Sequence, residues 1–495
     1  MKVFASSSSL FRRAFLETVK SSAEFMSIEM RKVRLGFVPL HRYPFDEKWG
    51  AEIRKRVIDE VSKIPYIELV YPDEGLTKLG LVWDDQDAEK VIDLFKEKGV
   101  EGLLLGTMTF GDELAGARIA EEFKDLPIAV FGTKEPKYLP GGFRRSDSFC
   151  GTLSLASALH RRKIPFIFLG ILFPEEDGFR RGVERFARST AIVSRFIGAR
   201  IGLIGPRPER FETVIFNEAL MARKFKQRVI HKPLLLIIEE AKRLRDDDPE
   251  VAQVMEEMRR MADASEISSE NLLKMAKLEV VLRRVARENG LSAMGVRCWT
   301  EVQKYYGISV CYIMGRLTQS GILSACEVDI YGALTMLIQY QASLETTPPH
   351  FIDWTIQHPE DPNVFLAWHC GNAPPQLACP QCRPTLRYHS ILYRDVGVEN
   401  SYGTAEFRLK PGPVTICRLT EDDGEFKMLI TRGEALDEAG EFRGSWVWVR
   451  VDDLDKLYRT LVEEGFVHHA SMIHGDYVEP IRDACKLLGI RPVIV

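Results

Sequence analysis

From Val33 onward, short apolar runs alternate with amphipathic stretches of ten or more residues, and this alternation constrains the fold more than any other feature. Val33–Leu40 (VRLGFVPL) reads as a buried strand, followed by a helical pattern over Glu47–Ser62 and a strand at Ile67–Tyr71. Asp87–Lys98 is helical by periodicity, and Gly102–Leu105, Ile128–Phe131 and Pro165–Leu172 repeat the apolar runs. Strands apolar on both faces, separated by helices, predict βαβ units and a parallel sheet covered on each side. A helix over Arg180–Ile197 leads to Ala199–Gly205 (ARIGLIG), the first strand of a second such series, in which Ala293–Cys298 and Ile308–Tyr312 are strand-like. From His350 the segments shorten, Gly and Pro become frequent, and Ser445–Val451 (SWVWVRV) alternates strictly, as in an antiparallel sheet or small barrel. The expected fold class is α/β, with two tandem Rossmann-like parallel α/β domains (31–174 and 175–347) followed by a β-rich C-terminal domain (348–495). The 495 residues exceed what one core of about 250–300 residues serves, which agrees with several domains.

Charge and cysteine usage exclude several functions. Lys and Arg number 67 against 71 Asp and Glu, so neither nucleic acid nor an anionic membrane is an expected partner. Nine irregularly spaced cysteines do not describe a disulfide framework, and a reducing cytoplasmic location is expected. No apolar run reaches the roughly 18–20 residues that span a bilayer. Residues 1–30 lack a continuous apolar segment and read as a disordered or mis-started extension, not a secretory signal. The ARIGLIG strand is followed by Pro206 and Pro208 where a dinucleotide pyrophosphate needs free backbone N–H groups, which disfavours an NAD-linked dehydrogenase. The charged stretch Glu239–Arg287 reads as solvated helices.

Chemistry is expected where ionisable groups stand in apolar surroundings. Glu327 lies in SACEVDIYGALTMLIQY, Asp353 in HFIDWTIQ, His369 at the end of VFLAWH, and His468 and His469 are adjacent in GFVHHASMIHGD. Buried ionised groups need partners, and a shared divalent cation would supply one. Mixed oxygen and nitrogen donors suit Mn²⁺, Mg²⁺ or Co²⁺. Taken singly, the residues equally fit ordinary roles: Glu327 a first-turn carboxylate, Asp353 a turn acid, the histidines a packed pair.

The runs GLLLGTMTFGDE (102–113), FGTKEP (131–136), RRSDSFCGTLSLASAL (144–159) and ARIGLIGPRPERFETVIFNE (199–218), with ACEVDIYGALTML, HFIDWT and FVHHASMIHGD, resemble the L-fucose/L-arabinose isomerase family. The resemblance extends from about Val33 to the end. It implies a metal-dependent aldose–ketose isomerase acting through a cis-enediolate on a sugar of the L-fucose, D-arabinose or L-arabinose class. It further implies Glu327 and Asp353 as catalytic carboxylates and metal ligands, and His469 as the C-terminal ligand. His369 fits the additional ligand of the arabinose branch. Phe110, Asp112, Trp446, Trp448 and His468 are the implied substrate contacts, though the two tryptophans, alternating on one strand, equally fit a core. A homo-oligomer, trimeric or hexameric, is implied, with a neighbouring subunit's first domain completing the site. The other reading is a non-catalytic sugar-binding or regulatory protein on the same scaffold. Cys379 and Cys382, in CPQC, resemble half of a zinc ribbon, the alternative being a reduced surface loop.

Overall fold

Residues 30–495 are described by a computed structural model; apart from Met30, the N-terminal extension read from the sequence lies outside the described residues. Five parallel strands form the first sheet: β1 (Val33–Leu40), β2 (Ile67–Val70), β3 (Gly102–Thr107), β4 (Ile128–Thr133) and β5 (Ile167–Leu172), in the order β2-β1-β3-β4-β5. The connecting helices carry their own start and stop signals. Asp84 accepts hydrogen bonds from the backbone N–H groups of Gln86 and Asp87 to open the helix Asp85–Lys98, and Gly99 closes it in the left-handed conformation at φ 64°.

The second sheet is a four-stranded parallel one, β7-β6-β8-β9, built from β6 (Arg200–Ile204), β7 (Arg228–Lys232), β8 (Ala293–Val296) and β9 (Leu323–Cys326). Two local readings are corrected in this layer. The apolar run at Ile308–Tyr312 leads into a helix, Cys311–Gln319, because an apolar run buried on all sides is ambiguous between helix and strand. The charged stretch is not wholly solvated either. Glu279, on the helix Ser269–Asn289, is fully buried and accepts hydrogen bonds from the guanidinium of Arg316 at 2.8 and 3.1 Å.

Nine strands make up the C-terminal sheet: β10 (His350–Gln357), β11 (Val364–His369), β12 (Thr385–Tyr388), β13 (Tyr402–Arg408), β14 (Gly412–Asp422), β15 (Glu425–Ala435), β16 (Ser445–Arg450), β17 (His469–His474) and β18 (Arg491–Ile494). Pairing between β15 and β16 closes the run β16-β11-β10-β17-β14-β15 into a six-stranded antiparallel barrel. The outer strands β13 and β18 join it in parallel. The fold is thus α/β, with two parallel sheets followed by a large mixed sheet.

One hydrophobic core runs without interruption from Ile192 through the second sheet into the barrel and on to Ile490. The helix Ile330–Ala342 bridges the two layers: Gln339 donates to the backbone carbonyls of Thr415 and Ser471 at 3.0 and 2.9 Å. Cys379 and Cys382 are joined as a disulfide, so neither sulfur is a free thiolate for zinc, and the loop is not reduced in this structure.

Candidate metal centre

The end of β9 places Glu327. Glu327 and Val328 both have positive φ, 52° and 58°, a conformation costly for a β-branched side chain. The turn is held by what lies beneath it. A Cβ on Gly295 of β8 would stand 2.7 Å from the Val328 backbone, so only glycine lets the turn settle on the sheet. Asp329 then caps the helix Ile330–Ala342, accepting from the Gly332 N–H at 2.8 Å.

The other residues come from the barrel. Asp353 and His469 stand directly opposite each other on the antiparallel ladder of β10 and β17, which puts their side chains on one face. His369 ends β11. His469 Nε2 lies 3.4 Å from Glu327 Oε2 and 3.8 Å from Asp353 Oδ1, and His369 Nε2 lies 4.0 Å from the same Asp353 oxygen. Donor atoms of Glu327, His369 and His469 all fall within 4.8 Å of one another, as do those of Asp353, His468 and His469. Asp353 retains 20 % side-chain exposure and gives the group its opening to solvent.

Among the described residues, three buried atoms here have no hydrogen-bond partner: Glu327 Oε2, Asp353 Oδ1 and His369 Nε2. Burial, then the neighbouring Cys298 and Asp353, pushes the Glu327 carboxyl well above its ordinary range. Burial likewise raises Asp353 to about 6, against the opposing pull of His469. Two carboxyl groups are therefore held together where ionisation is costly. A divalent cation would reverse that cost, and the mixed oxygen and imidazole donors fit a hard or borderline ion. By this test the residues present fit a metal.

Sequence reasoning missed the support behind these groups. The His469 Nδ1–H donates to Asp329 Oδ2 at 2.9 Å, which leaves the Nε2 lone pair directed at Glu327 and Asp353. Although burial alone would raise Asp329, Arg418 and His469 hold it well below the usual carboxylate range. Arg418 is itself buried and grips both carboxylate oxygens, with Nη2 3.2 Å from Oδ1. The Cys298 thiol donates to Glu327 Oε1 at 3.3 Å. Asp329 was legible only as part of EVDIY, and Arg418, alone in an apolar strand, carried the stronger signal.

The implied substrate contacts divide. His468 borders the group, its ring 4.2 Å from that of His469 and edge-on to Phe211 at 5.8 Å. Trp446 and Trp448 are buried with Phe442 in a small separate cluster against which Trp368 packs, one strand farther from Asp353 than Trp368. Rings beside the group are Phe351, 4.9 Å from His469 and 5.5 Å from His369, Trp368, stacked on His369 at 6.2 Å, and Phe211, 6.0 Å from His469. Phe110 and Asp112 lie beyond β3 of the first sheet. There Phe110 stacks on Phe45 beneath Arg42, and Asp112 caps the helix Glu113–Glu122 and pairs with Arg42. None of their hydrogen bonds, ion pairs or ring contacts reaches the Glu327 group.

Comparison with known proteins bears on this arrangement. Residues 36–197 match the N-terminal domain of fucose/sulfoquinovose isomerases, and residues 367–494 match the L-fucose isomerase C-terminal domain. The chain belongs to the L-fucose isomerase family. Curated relatives include the sulfoquinovose isomerase of Priestia aryabhattai, 24% identical over 464 residues that cover 93% of this chain and 99% of the relative. Others come from Alkalicoccus urumqiensis, 26% identical over 80% of this chain and 86% of the relative, and Clostridium sp. (strain MSTE9), 26% identical over 79% and 85%. In activity class the chain is an aldose–ketose isomerase. Glu327 and Asp353 fall between the two matched family domains, whereas His369 and His469 fall inside the C-terminal one.

Proposed function

We propose that this isomerase works at a divalent cation, Mn²⁺, Co²⁺ or Mg²⁺, held by Glu327, Asp353 and His469. The observation that carries the reading is the convergence of the unpartnered Glu327 Oε2 and Asp353 Oδ1 on the free lone pair of His469 Nε2. A cation bound there would act as a Lewis acid toward adjacent sugar oxygens and lower the barrier to removing the C–H proton at C2. Glu327 and Asp353 serve as base and acid, one taking the proton from C2 and the other returning one to C1 through a cis-enediolate, while the hydroxyl proton passes from O2 to O1. Trp368 and Phe211 supply the apolar flank.

Sulfoquinovose is the first substrate to test, because it names the curated relatives, with L-fucose, D-arabinose and L-arabinose beside it. Tyr43, Tyr138, Phe143 and Phe149, all exposed around the first sheet, support a meeting of this domain with another copy of the chain in a trimer or hexamer. That contact would bring Phe110 and Asp112 to a neighbour's site. Among the described residues, no helix is long and apolar enough to cross a membrane. The test is solvent exchange of the C2 proton, followed by NMR in D₂O with Mn²⁺ present. Exchange is expected with at least one of these sugars. Glu327→Gln should fold normally and lose about 10²–10⁴-fold in turnover, the usual worth of an acid–base group. No exchange with any of the four sugars, or near-normal turnover of the variant, would refute the reading.

A further inference from the structure

His369 and His469 sit side by side, yet their hydrogen bonds give them opposite tautomers. The Nδ1 of His469 faces a carboxylate, which accepts only, so this nitrogen carries the proton and Nε2 keeps its lone pair. The Nδ1 of His369 faces the backbone N–H of Cys370 at 2.9 Å, which donates only. A nitrogen that accepts that bond has no proton of its own. The Cys326 sulfur, 3.9 Å from the same Nδ1, carries a thiol hydrogen and so does not require a proton on that nitrogen. The close neighbour of His369 Nδ1 is thus a donor. A neutral imidazole must then carry its hydrogen on Nε2, the atom that is buried, without a partner and 4.0 Å from Asp353 Oδ1.

We propose that His369 is a catalytic hydrogen-bond donor that presents a neutral Nε2–H to a sugar oxygen, and not a fourth ligand of the cation. A nitrogen bearing a hydrogen has no lone pair to give to a metal. The gap to Asp353 is too long for a direct hydrogen bond, and an oxygen atom set to one side of the line joining the two atoms comes within hydrogen-bond reach of both. A neutral donor placed there strengthens its bond as negative charge grows on the sugar's carbonyl oxygen, while the carboxylates handle the proton on carbon. His369 gives up no proton in this role.

The inference rests on the cation site proposed above, and two measurements separate their failures. The first titrates Mn²⁺ into the full-length wild type, His369→Gln and His469→Gln, reading free Mn²⁺ by electron paramagnetic resonance. His369→Gln should bind within about threefold of wild type and His469→Gln at least tenfold more weakly. Turnover of His369→Ala should fall about 10²–10³-fold, the cost of losing one donor to a developing oxyanion, with glutamine recovering part of it through its amide N–H. A tenfold or larger loss of Mn²⁺ affinity in His369→Gln overturns the inference and leaves the cation site standing. So does full turnover in both His369 variants. The second measurement is a long-range ¹H–¹⁵N spectrum of histidine-labelled protein, with the His369 signals assigned by loss in His369→Gln. Protonation at Nε2 is expected. Protonation at Nδ1 overturns the inference, and this readout decides it even if the wild type binds no Mn²⁺ and the cation reading falls.

Discussion

Replacing Asp329 by asparagine keeps the shape of the side chain but removes its charge, and its four hydrogen bonds determine the outcome. Oδ1 accepts from the Gly332 N–H and Arg418 Nη2, while Oδ2 accepts from His469 Nδ1–H and Arg418 Nη1. An asparagine has one oxygen for these two positions. With the oxygen at the first, its amide N–H₂ confronts Arg418 Nη1 and His469, and His469 can relieve its share only by moving its proton to Nε2 and losing the lone pair directed at Glu327 and Asp353. With the oxygen at the second, the N–H₂ confronts both the helix N–H and the guanidinium. The first arrangement leaves fewer donors opposed, so a wrong His469 tautomer is the expected outcome. Outer partners of this kind are worth about 10–100-fold in metal affinity, or about 1.4–2.8 kcal/mol. Arg418, buried with Asp329 as its ion-pair partner, is left uncompensated, at a further cost to stability of about 3–5 kcal/mol. The assay pairs Mn²⁺ titration with urea unfolding, under conditions where circular dichroism shows the variant folded. A variant that binds Mn²⁺ within threefold of wild type, with undiminished turnover, would refute the tautomer reasoning.

Asp353 predicts a pH dependence for the metal-free chain. Its folded pKa is raised from 3.8 to about 6, so its stabilising contribution is present below the unfolded value and is lost as pH rises through about 6. The loss is about 3 kcal/mol, measurable as a falling urea midpoint between pH 4 and 7. Because a cation must displace the same proton, Mn²⁺ affinity should weaken by at least about tenfold for each pH unit below 6, as read by titration across that range. Gly295→Ala should cost about 1–3 kcal/mol by pressing on the Val328 backbone, and should weaken Mn²⁺ binding by displacing Glu327. Thermal unfolding and the same titration check both effects.

The α/β layers were legible because strands covered on both faces and amphipathic helices write different periods into the chain, as in VRLGFVPL and Asp85–Lys98. Barrel closure was less so, since a single pairing between β15 and β16 decides it and no local pattern encodes that pairing. Glu327, Asp353 and the histidines stood out as polar groups in apolar surroundings, and resemblance named them together. Asp329 was hidden by its proximity to Glu327, because a helix cap and a support for His469 look alike in sequence. For Trp446 and Trp448, alternation shows that two side chains share a face but not what covers that face. The cysteines of CPQC carried no sign of whether they bind an ion or each other.

Glu327 comes from the second sheet, Asp353 and His469 come from the barrel, and a single core fills the space between. The site is therefore a product of folding across a seam and does not exist in either layer alone. A chain divided near Thr347 would leave the helix Ile330–Ala342 without the strands that Gln339 binds, and Asp329 without Arg418. The two C-terminal thirds thus form one cooperative unit, and the local stability of the reacting groups equals that of the whole unit and not that of a loop. Separation of the second layer from the barrel is not compatible with chemistry of this kind.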